Sequence, residues 1–370
     1  MILKELFLTN FRVHKNTKMS FSDGINYIVG GNGQGKTSIL EAIYYLCTTK
    51  NFKSSTDLEI LRFNEEDYEI TGLFEDLTKD SLRVYFNKNE KRRVYLQNNK
   101  QIHRASDVIG KYPLVLLTPE DHSLTQGAPS ERRRFVDSIL SQAKRSYLDA
   151  FLDYNRVLKQ RSGLLSLIQQ NYSRALLVQL DAWDERLVES GLLIINLRCE
   201  FVKLFNRFVA ESYSKIMFNS EVPHIEYSTF GDDPTLINRD YFQQKLTSKR
   251  DEEIRRSSNL VGPHRDDFIF KINEKSLKTY GSQGQHKTFQ VALRFAQYFY
   301  LKENSGRNPL FLLDDVFGEL DSMRAQRISE YLREVGQTFI TLTDFANHSF
   351  LHRTENDMFI SVSNGNVSYV

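Results

Sequence analysis

The glycine-rich stretch IVGGNGQGKTSIL, residues 28–40, has the residue types and the spacing to do chemistry. It contains the pattern G-x-x-x-x-G-K-[ST], whose members are Gly30, Gly31, Asn32, Gly33, Gln34, Gly35, Lys36 and Thr37. Glycines let backbone amides turn toward a phosphate, and the start of a following helix adds partial positive charge. Lys36 is expected to reach the β- and γ-phosphates, and the Thr37 hydroxyl to bind Mg²⁺. The pattern predicts a site for the phosphates of ATP with Mg²⁺; the alternative is a glycine-rich surface loop.

Two adjacent carboxylates end an apolar stretch, PLFLLDD at residues 309–315. Buried carboxylates are costly unless a cation or water compensates them. Asp314 is therefore expected in the Mg²⁺ shell, and Asp315 is expected to polarise the attacking water. With Lys36, these are the candidate catalytic residues. The alternative is that the Asp pair caps the next helix, predicted at 321–334.

A third element, YGSQGQHKTFQVALRFAQYF at residues 280–299, places Ser282 and Gly284 at the start of a predicted helix over 284–302. A hydroxyl, a glycine and free helix amides make a second anion site. One phosphate loop already serves one nucleotide, so the second site suggests a nucleotide shared between two subunits. The alternative is an ordinary capped helix.

The elements that must position these residues follow from the hydrophobic pattern. Residues 24–30 form a predicted strand, and apolar spacing over 36–47 predicts a helix, so the glycine loop lies between them. Long helical periodicity begins near Ser130, a predicted helix N-cap, and continues to about 218. The pattern predicts an α/β domain built from 1–124 and 256–370, with a mainly helical lobe inserted at 125–255.

Composition limits the class of protein. The chain has 370 residues, a formal net charge of +2 and two cysteines, Cys47 and Cys199. Two distant cysteines argue against a disulfide framework or a cysteine metal site. No signal peptide and no run of about 18 apolar residues is visible. The sequence predicts a soluble, cytoplasmic protein that has no membrane partner.

The order of glycine loop, S-x-G helix and paired aspartates resembles the ABC-type ATPase heads of the SMC class. In that class two heads enclose two ATP molecules, so Ser282 and Gly284 would contact the partner's γ-phosphate. The resemblance also implies a partner-contacting loop at residues 318–321, a switch position at Thr343 and a nucleotide contact from Arg12 in NFR. Thr343 departs from the His usual in transporters. Many related ATPases have Glu where Asp315 stands, which implies slow hydrolysis.

Nearly the whole chain resembles the RecF family of bacterial recombination-repair ATPases. The stretches that carry the resemblance are TPEDHSLTQGAPSERRRFVDSILS (118–141), YLDAFLDYNRVLKQR (147–161), GPHRDDF (262–268), GSQGQHK (281–287) and LLDDVFGELD (312–321). Two departures are Gly318, where the family often has Ser, and the pair His286-Lys287.

The resemblance implies a homodimer that forms with ATP and binds double-stranded and gapped DNA without sequence preference. It implies work with RecR and RecO in loading RecA, and roles in replication-fork maintenance and the SOS response. ATP hydrolysis would be weak, would be stimulated by DNA and would serve as a switch for release. Because hydrolysis would not act on a separate substrate, the resemblance leaves open whether the protein is best described as an enzyme.

The residues themselves contain three basic clusters that could contact DNA phosphates. They are Lys88, Lys91, Arg92 and Arg93; Arg132, Arg133 and Arg134; and Arg156, Lys159 and Arg161. Each could instead be a solvated face. Because cations at a helix start oppose the helix dipole, Arg132–Arg134 is expected to have a compensating partner. The segment 262–267 has a His and two Asp residues and is expected to be a structured turn; a metal site is the alternative.

Two other functions stay open from the sequence. An SMC-like ATPase that drives a nuclease would need long heptads or a nuclease domain. A metabolic P-loop kinase would need an acceptor-substrate site and would not need the second anion site.

Overall fold

A computed structural model describes residues 1–53, 56–217, 221–344, 351 and 354–369. The strands are β1 (Ile2–Phe11), β2 (His14–Ser20), β3 (Ile25–Val29), β4 (Asp67–Glu75), β5 (Lys79–Asn87), β6 (Arg92–Gln97), β7 (Lys100–Ile102), β8 (Leu114–Leu117), β9 (Pro223–Ser228), β10 (Asp267–Ile272), β11 (Lys275–Ser276), β12 (Leu310–Asp314), β13 (Thr338–Leu342), β14 (Met358–Ser363) and β15 (Asn366–Tyr369). The helices are α1 (Lys36–Thr48), α2 (Asp57–Ile60), α3 (His122–Gln126), α4 (Pro129–Ala143), α5 (Arg145–Gln170), α6 (Arg174–Ile216), α7 (Arg239–Arg256), α8 (Leu277–Tyr280), α9 (Gln283–Ser305) and α10 (Ser322–Tyr331).

The chain forms two compact units. The first comprises Met1–Asp121, Ser212–Asn219 and Gln290–Val370, and the second comprises His122–Glu211 and Ser220–Phe289. The sequence placed the return to the first domain at 256, whereas the second unit extends to 289. The physical reason is strand pairing, because β10 pairs antiparallel with β9 and with β11 in one three-stranded sheet.

The first unit contains two six-stranded sheets. One is antiparallel, in the order β2-β1-β4-β5-β6-β7. The other has the order β15-β14-β3-β13-β12-β8, with parallel pairing from β14 to β8. One hydrophobic cluster joins residues of both sheets to the inner face of α1. The carboxyl ends of parallel strands meet at one edge, where α/β proteins bind ligands.

The second unit is mainly helical and contains buried charges. Arg161 lies between Asp184 and Glu253, with N–O distances of 2.6 and 2.8 Å, and each of these side chains is only 1% exposed. Arg198 is equally enclosed and contacts Asp137 at 2.7 Å and Asp266 at 2.8 Å. Removal of either partner from such a pair leaves a buried charge uncompensated, which is strongly destabilising.

Most elements that frame the predicted site are confirmed in position and type. The glycine loop lies between β3 and α1, and the predicted helix over 284–302 is α9. The assignment of Ser130 as an N-cap is wrong: α4 begins at Pro129 with Ala128 at the N-cap position. Proline suits the first helical position because its missing N–H has no helical acceptor there. Within the described residues, no helix has the length and apolarity to cross a membrane.

Candidate functional site: a phosphate loop facing a carboxylate cluster

The phosphate loop connects the carboxyl end of β3 to the amino end of α1, as its sequence predicted. Two glycines are required by its shape. A Cβ at Gly30 would lie 2.3 Å from the carbonyl oxygen of Val362, and one at Gly35 would lie 2.6 Å from Val13. Gly35 also has a φ of +108°, which disfavours any side chain. The backbone can therefore hold this curve only with glycine at both positions.

Lys36 is folded back over the loop. Its ammonium donates to the carbonyl oxygens of Gly30 and Gly31, at 2.5 and 2.8 Å. Burial lowers the pKa of Lys36, and the charges of Asp315 and Asp314 oppose that effect. The ammonium thus lies inside the loop that is expected to bind phosphate, where it is hydrogen-bonded to two backbone carbonyls.

Asp314 lies at the centre of the site and is buried at the end of β12. Its Oδ1 accepts hydrogen bonds from the hydroxyls of Thr37, at 2.7 Å, and Thr341, at 2.9 Å. Thr341 is in β13, which pairs with β12 on one side and β3 on the other. The sheet order therefore brings together the two residues predicted to share Mg²⁺, although 277 positions separate Thr37 from Asp314.

Asp315 is exposed and has a φ of +50°, a left-handed conformation that Asp tolerates better than most residues. Its backbone N–H donates to Thr341 Oγ1 at 2.9 Å. The alternative that this Asp pair caps the next helix is wrong. The N-cap of α10 is Asp321, whose carboxylate accepts from the N–H of Arg324.

A clamp that the sequence did not predict holds the phosphate loop. The turn between β14 and β15 contains Asn364 and Gly365, whose N–H groups donate to Gln34 Oε1 and Gln34 O at 2.6 and 3.1 Å. His14 lies between Gly35 O and Gly365 O, at 3.1 and 3.0 Å. Burial lowers the pKa of His14. An Asn-Gly pair between two alternating strands was the available signal for the turn, but nothing in it identified the phosphate loop as its neighbour.

Lys53 is a second residue that sequence reasoning missed. Its ammonium lies 3.1 Å from Asp314 Oδ2, whereas Thr37 donates to the other oxygen, Oδ1. The Lys53 side chain is 37% exposed and that of Asp314 is 3% exposed. No motif marks this lysine, because it follows the end of α1 in an irregular segment.

Arg12 forms a two-pronged ion pair with Glu41 of α1, at 3.0 and 2.9 Å, and donates to Glu59 O at 2.7 Å. These contacts fasten the β1–β2 hairpin to α1. Its predicted contact with nucleotide stays a prediction.

Ser282 and Gly284 belong to the second unit. Ser282 Oγ accepts from the N–H of Gln285 at 3.2 Å, and the Gln285 side chain accepts from the N–H of Ser282 at 2.8 Å. This reciprocal pair is a capping box at the start of α9. The capped helix is present, and a role in a partner's nucleotide site stays a prediction. Thr343 is exposed just beyond β13.

The members of the three basic clusters differ in burial: some are paired inside the protein and others are exposed. Arg132 is buried and makes a two-pronged pair with Asp267, and Arg133 donates to the carbonyl of Asp266 at 2.6 Å. The compensating partner of this run is therefore inside the chain, and the solvated-face interpretation is wrong for Arg132 and for the buried Arg161. The exposed cations are Lys88, Lys91, Arg92, Arg93, Arg134, Arg156 and Lys159.

The segment 262–267 is a structural turn. His264 lies 2.7 Å from the hydroxyl of Tyr154 and 3.2 Å from the carbonyl of Asn259. Burial, the largest effect, lowers the pKa of His264 to about 4. Through 1–53, 56–217, 221–344, 351 and 354–369, no group of three or more His, Cys, Asp and Glu side chains is arranged to hold a metal.

The residues at the edge of the parallel sheet fit Mg²⁺. The Thr37 hydroxyl and the Asp314 carboxylate are hard oxygen donors 2.7 Å apart, and Mg²⁺ takes such ligands together with phosphate and water. A cationic group, the Lys53 ammonium, already contacts the remaining carboxylate oxygen. Mg²⁺ at this position would neutralise phosphate charge, and Thr37 and Asp314 would hold it.

Comparison with known proteins agrees with this geometry. The sequence profile described as RecF/RecN/SMC N terminal domain matches residues 2–367. The DNA replication and repair protein RecF of Chloroherpeton thalassium is 39% identical over 358 residues, 93% of this chain and 95% of that protein. The protein of the same name from Salinibacter ruber is 38% identical over 352 residues, 93% of this chain and 85% of that protein.

Comparison with solved structures also shows similarity to RecF. One described as the recombination mediator protein RecF-ATP in the RecFOR pathway has a TM-score of 0.89 and 30% identity, covering 100% of this chain and 97% of its own. An Smc head domain from Pyrococcus furiosus has a TM-score of 0.58 at 16% identity, which supports the fold alone. The fold and the site define an ABC-type ATPase head of the SMC-like class. The chain belongs to the RecF family of DNA replication and repair proteins.

Proposed function

We propose that this protein is a recombination mediator that binds ATP and Mg²⁺, dimerises with them and then binds gapped DNA. The observation that supports it best is the cluster of Lys36, Thr37 and Asp314 at one edge of the parallel sheet. A family relative whose solved structure is described as RecF-ATP has the same fold over the full length of this chain.

In this proposal, Gly30 to Thr37 bind the phosphates, Thr37 and Asp314 hold Mg²⁺, and Asp315 orients the attacking water. Ser282 and Gly284 complete the nucleotide site of a second copy of the chain. Arg12 is a further nucleotide contact. Hydrolysis is slow because the Asp315 side chain is short, and it resets a switch.

The dimer would bind double-stranded DNA beside a single-strand gap, through exposed lysines and arginines that contact phosphates. RecR and RecO are the proposed protein partners, and RecA loading is the proposed outcome. Family membership supports this part of the proposal, together with the RecFOR pathway in the description of the solved relatives.

The test is light scattering of wild type, Asp315→Asn and Ser282→Arg, with and without Mg·ATP and then with gapped DNA. We expect wild type and Asp315→Asn to dimerise with ATP, and Ser282→Arg to stay monomeric and to lose DNA binding. A wild type that stays monomeric and binds DNA equally well without ATP would refute the ATP-gated dimer.

The kinase alternative predicts a different result. A metabolic kinase would transfer phosphate to a small acceptor and would not need Ser282. Dimerisation that requires ATP, without phosphorylation of small molecules, would exclude it.

A further inference from the structure

Lys53 contacts Asp314, the carboxylate that is proposed to hold Mg²⁺. Its ammonium contacts Oδ2 at 3.1 Å, while Thr37 and Thr341 donate to Oδ1. The carboxylate is therefore satisfied by one cation and two hydroxyls. Without Lys53, no cation among the described residues would form an ion pair with a carboxylate that is only 3% exposed, which is costly.

We propose that Lys53 is a cation placeholder: it neutralises Asp314 in the nucleotide-free protein and is displaced when Mg²⁺ enters with ATP. This inference rests on the proposed nucleotide site. An ammonium and a divalent ion beside the same buried carboxylate repel each other, and one negative charge cannot compensate both. Mg²⁺ must therefore compete with Lys53, and its apparent affinity includes the cost of breaking the ion pair.

Displacement of Lys53 is expected to affect the residues that precede it. The N–H of Lys53 donates to the side chain of Asn51 at 2.7 Å. Asn51 and Lys50 line a cavity of about 350 Å³ at the far end of α1, together with Tyr45 and Arg93. Release of Lys53 is therefore expected to loosen residues 50–53 and to change the wall of this cavity. Both ends of this connection lie in the first unit.

The first experiment uses the full-length chain and a fluorescent ATP analogue. Binding is measured across a Mg²⁺ titration, with EDTA as the baseline, for wild type, Lys53→Met and Lys50→Met. Lys50 is the matched control because it is an exposed lysine in the same segment. We expect Lys53→Met to lower the Mg²⁺ midpoint about two- to fivefold, the upper part of the range for an ion pair with an exposed partner. Lys50→Met should match wild type.

The second readout needs no nucleotide. Because Asp314 loses its cation, Lys53→Met should lower the melting temperature of the nucleotide-free protein, and saturating Mg·ATP should remove the difference from wild type. Amide hydrogen exchange at residues 50–53 should rise in wild type when Mg·ATP binds, and should already be high in nucleotide-free Lys53→Met.

Two results would overturn the inference, and they differ. If Lys53→Met needs the same Mg²⁺ as wild type or more, while wild type still binds nucleotide in a Mg²⁺-dependent way, Lys53 is no placeholder. A raised midpoint would identify it as a phosphate ligand. If all three proteins bind the analogue equally with and without Mg²⁺, or not at all, the proposed Mg²⁺ site fails and the inference falls with it.

Discussion

Replacing Arg161 with Met should destabilise the second unit strongly, although Arg161 was first grouped with possible DNA contacts. The guanidinium is 1% exposed and pairs with Asp184 and Glu253. Loss of one partner from a buried ion pair costs about 3–5 kcal/mol. Arg250 also contacts Asp184, at 2.8 Å, and would still compensate the charge of that carboxylate in the variant. The uncompensated charge is then mainly that of Glu253. We therefore expect the free energy of unfolding to fall by about 3 kcal/mol, the low end of that range.

The assay is urea unfolding followed by the fluorescence of Trp183, the single tryptophan of the chain. Trp183 packs against a cluster that contains Leu164 and Leu165 of α5, the helix of Arg161. Its emission therefore reports on the second unit. Urea carries no charge and leaves ion pairs unscreened. At a slope of about 2 kcal/mol per molar urea, the midpoint should fall by about 1.5 M.

Arg156→Met is the matched control, since Arg156 is exposed on the same helix. Its unfolding midpoint should stay near that of wild type, within about 0.5 kcal/mol. Equal midpoints for the two variants would refute the assignment of Arg161 to the buried network.

Arg156 and Lys159 are exposed, so we expect Arg156→Met and Lys159→Met to weaken DNA binding by the folded protein at low salt. The effect should become smaller as the salt concentration rises.

Three further predictions concern single positions. Gly30→Ala should lower nucleotide affinity more than tenfold in a fluorescence titration, because its Cβ would lie 2.3 Å from Val362 O and force the loop to shift. His264 has a folded pKa of about 4, below the unfolded value near 6.5, so the unfolded chain takes up the proton first. The free energy of unfolding should therefore fall by up to about 3 kcal/mol from pH 6.5 to pH 4, and His264→Gln should lose that dependence in urea titrations. Thr341→Val removes a hydroxyl that donates to Asp314 and should cost about 1.5–3 kcal/mol in thermal unfolding.

Two of these predictions have a control variant in the chain. Gly163→Ala, where a Cβ meets no atom within 4 Å, should leave nucleotide binding unchanged. Thr343→Val, at an exposed position beyond β13, should change stability by less than about 0.5 kcal/mol. A pH dependence that persists in His264→Gln would show that other groups carry it. Wild-type nucleotide affinity in Gly30→Ala would contradict the close approach to Val362.

Helices, strands and the motifs between them were predicted well, because residue spacing within a short segment determines them. The glycine spacing places Lys36 and Thr37 at a helix start, and the apolar run that ends at Asp314 is a buried strand. Contacts between distant segments were not predictable in this way. Nothing local to Lys53 indicates that it meets Asp314, and nothing local to Asn364 indicates that it meets the phosphate loop.

The domain boundary and the buried arginines share one cause. β10 looked like a return to the first domain, yet it pairs with β9, a partner selected by tertiary structure. Arg161 looked like one of a row of surface cations, yet its position on α5 faces Asp184 of the next helix. In both cases the deciding neighbour lies on another element, beyond the reach of the local sequence pattern.

The Asn364–Gly365 clamp affects the timing of folding during synthesis. The turn that donates to Gln34 is translated well after the glycine loop, since Asn364 follows Gln34 by 330 residues. At about 5–20 residues per second, the interval is on the order of half a minute. During that interval a nascent chain has its nucleotide loop without the contacts that shape it. The clamp on Gln34 therefore cannot form until Asn364 and Gly365 have been made.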